Sequence, residues 1–498
     1  MRYTIGIDVG TQALKTLLWQ EDGQIVALES EQYPVEYPQP AWAVQNALHW
    51  WQAMGSAIPR LCQKAAVAPA DVVAIGIDGT VDGFVPISEE GAPLAPAFLW
   101  MDRRAVDECE DLASEIDLKQ LFEVTGLNLD ASHTAAKMLW LRRHEPEVYA
   151  RSWKFMPPAS FIVYMLTRQC VVDYSNASST MLFDVRSRQW SPRLLRSMQI
   201  QADLLPDLKR ATEIVGHLTP DAARFLGLCT DTLVVVGCGD EHASCVGAGV
   251  IEPGVVADII GTAEPVCLST QTPVFDASRL VETHCHAHPE RWLLENPGWV
   301  SGGNYRWFRD QFCTGSDGGQ VSYETLNLEA ETAPPGSDGL VFLPCMMGAM
   351  APEWNSKARG VFYGLTLAHT RGHMIRALLE GSAYALRSVI DSMQRSGCDI
   401  QHIRAVGGAA QSKLVRQIRA DLTGLPVGRL STSETTVLGA ALLAAAGAGL
   451  CPGLQEAADR TIHVIEFDEP IMANRTVYEE AYHRFLHVYE NLKSAFEL

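Results

Sequence analysis

The sequence predicts an α/β protein of two domains that share one repeated plan and face each other across a cleft. Three observations carry this expectation. An apolar strand, a Gly-Thr turn and a returning strand open the chain, in Ile5-Gly6-Ile7-Asp8-Val9-Gly10-Thr11-Gln12-Ala13-Leu14-Lys15-Thr16. A degraded copy, Val256-Ala257-Asp258-Ile259-Ile260-Gly261-Thr262-Ala263-Glu264-Pro265-Val266-Cys267-Leu268, stands in the second half. The length of 498 residues exceeds what one hydrophobic core usually serves, so two domains of about 250 residues are expected. Duplicated hairpins would offer a Gly-Thr turn to the same polyphosphate from opposite sides.

The first hairpin has the chemistry of a phosphate site. Gly10 lets the backbone approach an anion, Thr11 supplies a hydroxyl and an N–H, and Lys15 brings a positive charge on the outgoing strand. Asp8 would repel a phosphate unless a divalent cation lay between them, so the combination indicates a metal-nucleotide site.

The remaining elements follow in order. Tyr3 to Ser30 has the pattern of a three-strand meander, and Trp42 to Lys64 that of an amphipathic helix. Val72 to Asp78 is a buried strand; Phe84-Val85-Pro86-Ile87 with the turn Glu90-Gly91 predicts a strand pair. Arg103 to Met198 is helix-rich. Leu233 to Val236 is a strand that ends in Gly237-Cys238-Gly239, with Asp240 at its exit and a small-residue helix after it. That Gly-x-Gly is no dinucleotide fingerprint, since the third glycine and the ribose-binding acid are missing. The domain boundary falls near Gly247-Ala248-Gly249, dividing the chain into 1–246 and 247–498, and Glu252-Pro253-Gly254 opens the second domain. Gly407-Gly408, between a short strand and a helix, would let a base or ribose lie against the backbone. Val437 to Leu450 is shorter than the ~20 residues that cross a bilayer and is expected to be a buried helix behind the nucleotide site. A closing helix, Asn474 to Phe496, is expected to pack across the first domain.

Composition narrows the partners. Hydrophobic residues make up 47% and charged residues 20%, as in a soluble globular protein, and the net charge of -20 argues against nucleic acid and anionic membranes. Twelve cysteines without a C-x-x-C pair suit a reducing cytoplasm, and the N-terminus shows no export signal.

Over essentially its whole length the chain resembles the FGGY carbohydrate kinases, of the actin, Hsp70 and sugar-kinase ATPase superfamily. The resemblance rests on the first hairpin, Trp100-Met101-Asp102-Arg103-Arg104, Gly237-Cys238-Gly239-Asp240, Gly261-Thr262, and Gly407-Gly408 with Ser412. It extends through Arg359 to Leu365, Leu379-Glu380-Gly381 and Leu438-Gly439-Ala440-Ala441. The xylulose kinase branch is the most similar, through His49-Trp50-Trp51, Leu139-Trp140, His144 to Glu147 and His284-Cys285-His286-Ala287. The resemblance implies two actin-like, ribonuclease H-like domains and ATP-dependent phosphorylation of the terminal hydroxyl of an open-chain sugar. D-xylulose is the first expectation; ribulose, erythritol or gluconate are alternatives, as is an actin- or Hsp70-like ATPase without kinase activity. A homodimer is left open.

Phosphoryl transfer to a hydroxyl needs an acceptor in line with the γ-phosphorus, a carboxylate to take its proton, and cations on the departing ADP. Asp240 is the candidate base, because it leaves a buried strand at a Gly-lined turn and the family motif places the base there; the alternative is a helix N-cap. Asp8 and Asp240 would hold magnesium through water. Thr11 and Thr262 are assigned to phosphate oxygens with Gly10 and Gly261, Lys15 to a phosphate, and Gly407, Gly408 and Ser412, with Gln411, to adenosine. Trp100, Asp102 and Arg103 keep the family pattern near the sugar. Many xylulose kinases carry Met-His-Gly where this chain has Val81-Asp82-Gly83, so Asp82 is expected to accept from sugar hydroxyls. A second departure is Gly348-Ala349-Met350-Ala351-Pro352, where relatives commonly have Gly-Glu-Arg-x-Pro.

His284-Cys285-His286-Ala287-His288 could set three histidines on one strand face. Same-face residues lie about 7 Å apart, so ligands from elsewhere would be required, and no structural metal is expected there.

Overall fold

The computed structural model describes residues 1–313 and 319–497. Among these, two seven-stranded sheets carry the chain. The first is ordered Ile214–His217, Leu233–Val235, Val72–Gly79, Tyr3–Val9, Ala13–Gln20, Ile25–Gln32, with Cys238–Gly239 beside the end of Val72–Gly79. The second is ordered Glu282–Cys285, Trp292–Asn296, Val266–Thr270, Val255–Ile259, His402–Val406, Val427–Leu430, Val464–Asp468. Each contains an antiparallel meander whose first strand has a parallel neighbour: Tyr3–Val9 beside Val72–Gly79, and Val255–Ile259 beside His402–Val406. The repeated plan is thus visible as topology.

Two helices join the sheets, Asp240–Gly247 and Thr435–Gly447. They touch backbone to backbone, since a Cβ on Gly247 would lie 1.8 Å from the Thr435 carbonyl oxygen and one on Gly439 1.9 Å from that of Ala243. Thr435–Gly447 also rests on the first sheet. There a Cβ on Gly6 would lie 2.1 Å from the Val437 carbonyl oxygen, and one on Gly76 2.0 Å from that of Ala440. Glycine at these four positions is what lets the elements approach. One core holds Leu17 and Ala74 of the first sheet, Ala257 and Val406 of the second, and Val437 to Ala445 between them. Enclosure on both sides explains a helix apolar all round its circumference. No helix among the described residues is long and apolar enough to cross a membrane.

Two local expectations change, and one gains a further partner. The helix expected from Trp42 begins at Ala47, because Val44–Gln45 pairs with Ala97–Phe98 and the Asn46 side chain caps the helix by accepting the Leu48 N–H at 3.0 Å. Val85–Ile87 pairs with Lys154–Met156, and the chain after the Glu90-Gly91 turn also meets it, through the antiparallel bridge Ile87–Pro93 and the Leu94 N–H donating to the Pro86 carbonyl at 2.8 Å. The last helix, Met472–Phe496, packs on the second lobe. Its Tyr478 hydroxyl donates to Glu380 at 3.0 Å and accepts from Arg376 at 2.8 Å, both buried in the helix Arg371–Arg395.

Candidate active site

Three carboxyl groups meet where the strands of the first sheet end. Tyr3–Val9 and Val72–Gly79 run in parallel register, Ile5 beside Ile75, Gly6 beside Gly76, Ile7 beside Ile77 and Asp8 beside Asp78. Asp78 is absent from the sequence-derived set, although Ile75-Gly76-Ile77-Asp78 repeats Ile5-Gly6-Ile7-Asp8 residue for residue. Cys238–Gly239 lies against Asp78 and Gly79 and delivers Asp240 beside them. Gly237 makes this approach with φ +79°, and a Cβ there would lie 1.8 Å from the Ile77 carbonyl oxygen. Asp240 is the first residue of its helix, not the N-cap, which is Gly239.

Burial, opposed by Lys15, lifts the Asp8 carboxyl to about 6. Asp78 is pushed well above the carboxylate range by burial and then by the charges of Asp8 and Asp240. Asp240 is pushed up by burial, then by Glu241 and Asp8. Both Asp78 oxygens are buried without a hydrogen-bond partner. Lys15 stands opposite Asp8 in the hairpin, but its ammonium lies 2.7 Å from Glu434 of the second lobe, so a phosphate would have to share it. Oxygen donors that repel one another, with buried lone pairs unused, fit a hard divalent cation.

The sign of the Asp8 effect makes this testable. A carboxyl at about 6 in the fold against 3.8 when unfolded stabilises the folded protein below the lower value, and that contribution is lost as pH rises through the upper one. A cation would offset the loss. Added magnesium is therefore expected to raise the melting temperature of the ATP-free protein strongly at about pH 8 and weakly at about pH 5; equal shifts at both would place the cation elsewhere.

The two hairpins are built alike. The Gly10 N–H donates to Ala13 at 3.2 Å, and the Gly261 N–H to Ala263 at 2.9 Å. The Thr11 carbonyl accepts from Gln45 at 2.6 Å, and Gln45 from the Trp50 indole at 3.1 Å, which ties the turn to the first core. Trp100, exposed at the rim, donates to the Thr11 hydroxyl at 3.1 Å. In the second hairpin no free carboxylate corresponds to Asp8. Asp258 and Glu264 instead grip the buried Arg419 at 2.6 and 2.7 Å.

Gly261 and Thr262 open onto a cavity of about 710 Å³, whose lining also includes Gly408, Gln411 and Ser412. Gly407 turns the chain into it with φ +94°, close to Ile260, while a Cβ on Gly408 would meet nothing within 4 Å. Ser412 also caps the helix Lys413–Thr423. Sequence reasoning missed the opposite wall, Tyr305, Asn327 and Leu328. It also missed Gly302, where a Cβ would lie 2.4 Å from the Gly261 carbonyl oxygen; the pair Gly302-Gly303 was the available signal.

The residues assigned to the sugar divide. Asp82 has φ +60° and lies 3.1 Å from His133 Nδ1, so its charge is met by a side chain and not left for hydroxyls alone. Burial opposes a charge on His133, but Asp82, joined by Glu282 and Asp130, lifts it to about 9, leaving a buried cation whose Nε2 has no partner. Asp102 is engaged within the protein's own loops. It is fully buried and accepts from Ala43 N–H at 2.7 Å and from the Arg104 guanidinium at 2.8 and 2.7 Å, so its oxygens hold the loop together. Arg104 in turn stacks 3.6 Å above the Trp42 ring. Arg103 forms a two-pronged pair with Asp130 at 2.8 and 2.6 Å, which limits it to a half-exposed rim position. Glu241, next to Asp240 and half-buried, was not anticipated.

Comparison with known proteins decides the family. Residues 3–247 match the N-terminal domain model of the FGGY family of carbohydrate kinases, and residues 256–448 match its C-terminal domain model. The chain belongs to the FGGY family of carbohydrate kinases. It is an ATP-dependent sugar kinase, and the reading as a non-kinase ATPase falls away. Among its relatives are a xylulose kinase of Bacillus subtilis, 28% identical over 99% of this chain and 98% of that protein, and a gluconokinase of the same organism, 30% identical over 89% and 86%. The crystal structure of xylulose kinase from Rhodospirillum rubrum superposes with a TM-score of 0.92 at 28% identity, covering 100% of both chains. The two-domain fold is therefore that of a sugar kinase, while identity alone does not separate the substrates.

Proposed function

We propose that this kinase phosphorylates the terminal hydroxyl of an open-chain ketose, with D-xylulose, giving D-xylulose 5-phosphate, as the first substrate to test. The observation that carries the reaction is Asp240, a half-buried carboxyl whose affinity for protons is raised and which sits on a Gly-lined strand end beside Asp8 and Asp78. In this role Asp240 takes the proton of the acceptor hydroxyl while the hydroxyl oxygen attacks the γ-phosphorus and the bond to ADP breaks. Magnesium, held by Asp8 and Asp240 through water and by Asp78, would neutralise the carboxylates and the phosphates. The Gly10-Thr11 and Gly261-Thr262 turns would hold the polyphosphate from two sides, with Lys15 released from Glu434, and the 710 Å³ cavity at Gly407, Gly408 and Ser412 would take adenosine. The domains 1–246 and 247–498 would close on the substrates, which excludes water from the transfer. An enzyme drawing on ATP and free sugar is expected in the cytoplasm.

The choice of ketose is supported by the xylulose kinases that cover the whole chain. One observation favours a sugar acid as the second reading: the protonated His133, with its free Nε2 donor, is suited to a carboxylate. ADP release on a panel of pentuloses, polyols and aldonates separates them, and a kcat/KM for gluconate above that for every ketose would overturn the first reading. Asp82→Asn should release His133 toward its ordinary value, lowering kcat/KM for the true substrate by about tenfold at about pH 8 and leaving KM for ATP unchanged. An unchanged pH profile would show that the Asp82–His133 pair lies outside the acceptor site.

A further inference from the structure

Behind Asp240 lies a cluster that none of these roles uses. His242 stands in the first turn of Asp240–Gly247, His284 in the strand Glu282–Cys285 and Glu295 in the adjacent strand Trp292–Asn296, so the first residue comes from one lobe and the other two from the second sheet. One ligand atom of each lies within 4.8 Å of the others. The His242 and His284 rings meet edge to face with centroids 5.6 Å apart, and His284 Nε2 is 3.7 Å from Glu295 Oε2 and 3.9 Å from Glu282 Oε2. Their exposures are 0%, 4% and 4%. Yet both nitrogens of His242, Nε2 of His284 and Oε2 of Glu295 have no hydrogen-bond partner. Buried polar atoms are nearly always satisfied, and unpartnered atoms on three buried residues, one from each lying within 4.8 Å of the others, indicate an occupant.

The histidines expected to compete for such a site are accounted for. His286 donates from Nε2 to the Val250 carbonyl at 2.9 Å and accepts the His288 N–H at Nδ1, so it faces away. The Ser179 hydroxyl donates to the Ser175 carbonyl and lies 3.4 Å from His284 Nδ1, where it can accept that N–H and leave the Nε2 lone pair directed at Glu295. This is the outer-shell arrangement that orients imidazole ligands.

We propose that His242, His284 and Glu295 form a metal site separate from the Asp8 site, taking a divalent cation of the zinc class and clamping the Asp240 helix to the second sheet. Two imidazoles and one carboxylate are the donor set of zinc and its neighbours, whereas magnesium prefers oxygen alone.

The test uses the full chain, stripped with a chelator and kept in excess magnesium so that the oxygen site is saturated. Zinc alone is then added and the protein is passed through gel filtration. About one zinc per chain should be retained, cobalt in its place should give the intense visible bands of a four-coordinate site, and zinc should raise the melting temperature. His242→Asn and His284→Asn should each weaken zinc retention at least about tenfold, while Asp8→Asn keeps it. Absence of zinc uptake and of cobalt bands in the wild type would overturn the proposal and assign the cluster to ordered water. So would folded His242→Asn and His284→Asn variants that hold zinc as the wild type does. If those variants do not fold, the cobalt spectrum and zinc-dependent melting of the wild type decide the matter alone.

Discussion

Asp240→Ala is expected to lower kcat for sugar phosphorylation by about 10²- to 10⁴-fold while ATP binding persists. A helix-capping role would give a different result. The N-cap is Gly239, and the Asp240 carboxylate accepts from the Glu241 N–H at 2.9 Å and from the backbone N–H of Val81, neither of them the second or third residue after it, from which a cap accepts. Losing a capping side chain costs about 1 kcal/mol of stability and leaves turnover intact in whatever fraction remains folded. Losing the base leaves the fold intact and removes the proton acceptor. The variant should even melt slightly higher without ligand, because a carboxyl that burial, Glu241 and Asp8 all disfavour has gone. Turnover measured beside calorimetric titration with ATP distinguishes the two roles, and retention of more than about a tenth of wild-type kcat would remove Asp240 from the reaction.

How much of this was legible in the sequence varied with how local the physics is. The Gly-Thr turns and the Gly237 turn could be read because close backbone approach and positive φ leave few choices other than glycine, and such demands are written in adjacent residues. Gly6 and Gly76 were equally plain as residues, but their reason, a helix from residues 435–447 lying on the sheet, is a contact across most of the chain. Asp102 and Asp82 show the same limit from the other side. Each looks like an available acceptor in its motif, yet the partners that occupy them, Ala43 and His133, come from other segments. The far wall of the cavity beside Gly261 and Gly408 rests on the two helices Gly302–Phe312 and Tyr323–Glu331, whose inward residues carry no motif. Asp78 was legible in principle, because its strand repeats the Asp8 strand.

That repeat gives the second large effect. Asp78→Asn should raise the magnesium concentration needed for half-maximal rate by about 10- to 100-fold, as loss of a supporting ligand does, and should at the same time raise the melting temperature of the ligand-free protein. The second half follows from the sign of its titration. The Asp78 carboxyl is held well above its unfolded value by burial and by Asp8 and Asp240, so its stabilising contribution is present below the unfolded value and disappears as pH rises through the folded one. At about pH 8 the ligand-free wild type therefore carries a strained carboxyl cluster that asparagine, neutral at every pH, does not reproduce. A kinase that keeps three repelling carboxyls together at one strand end sacrifices stability for a site that a cation relieves. Melting curves with and without magnesium, together with the magnesium dependence of ADP release, test both halves. A variant that loses activity and stability together would make Asp78 a structural residue, and one with unchanged magnesium dependence would separate it from the cation.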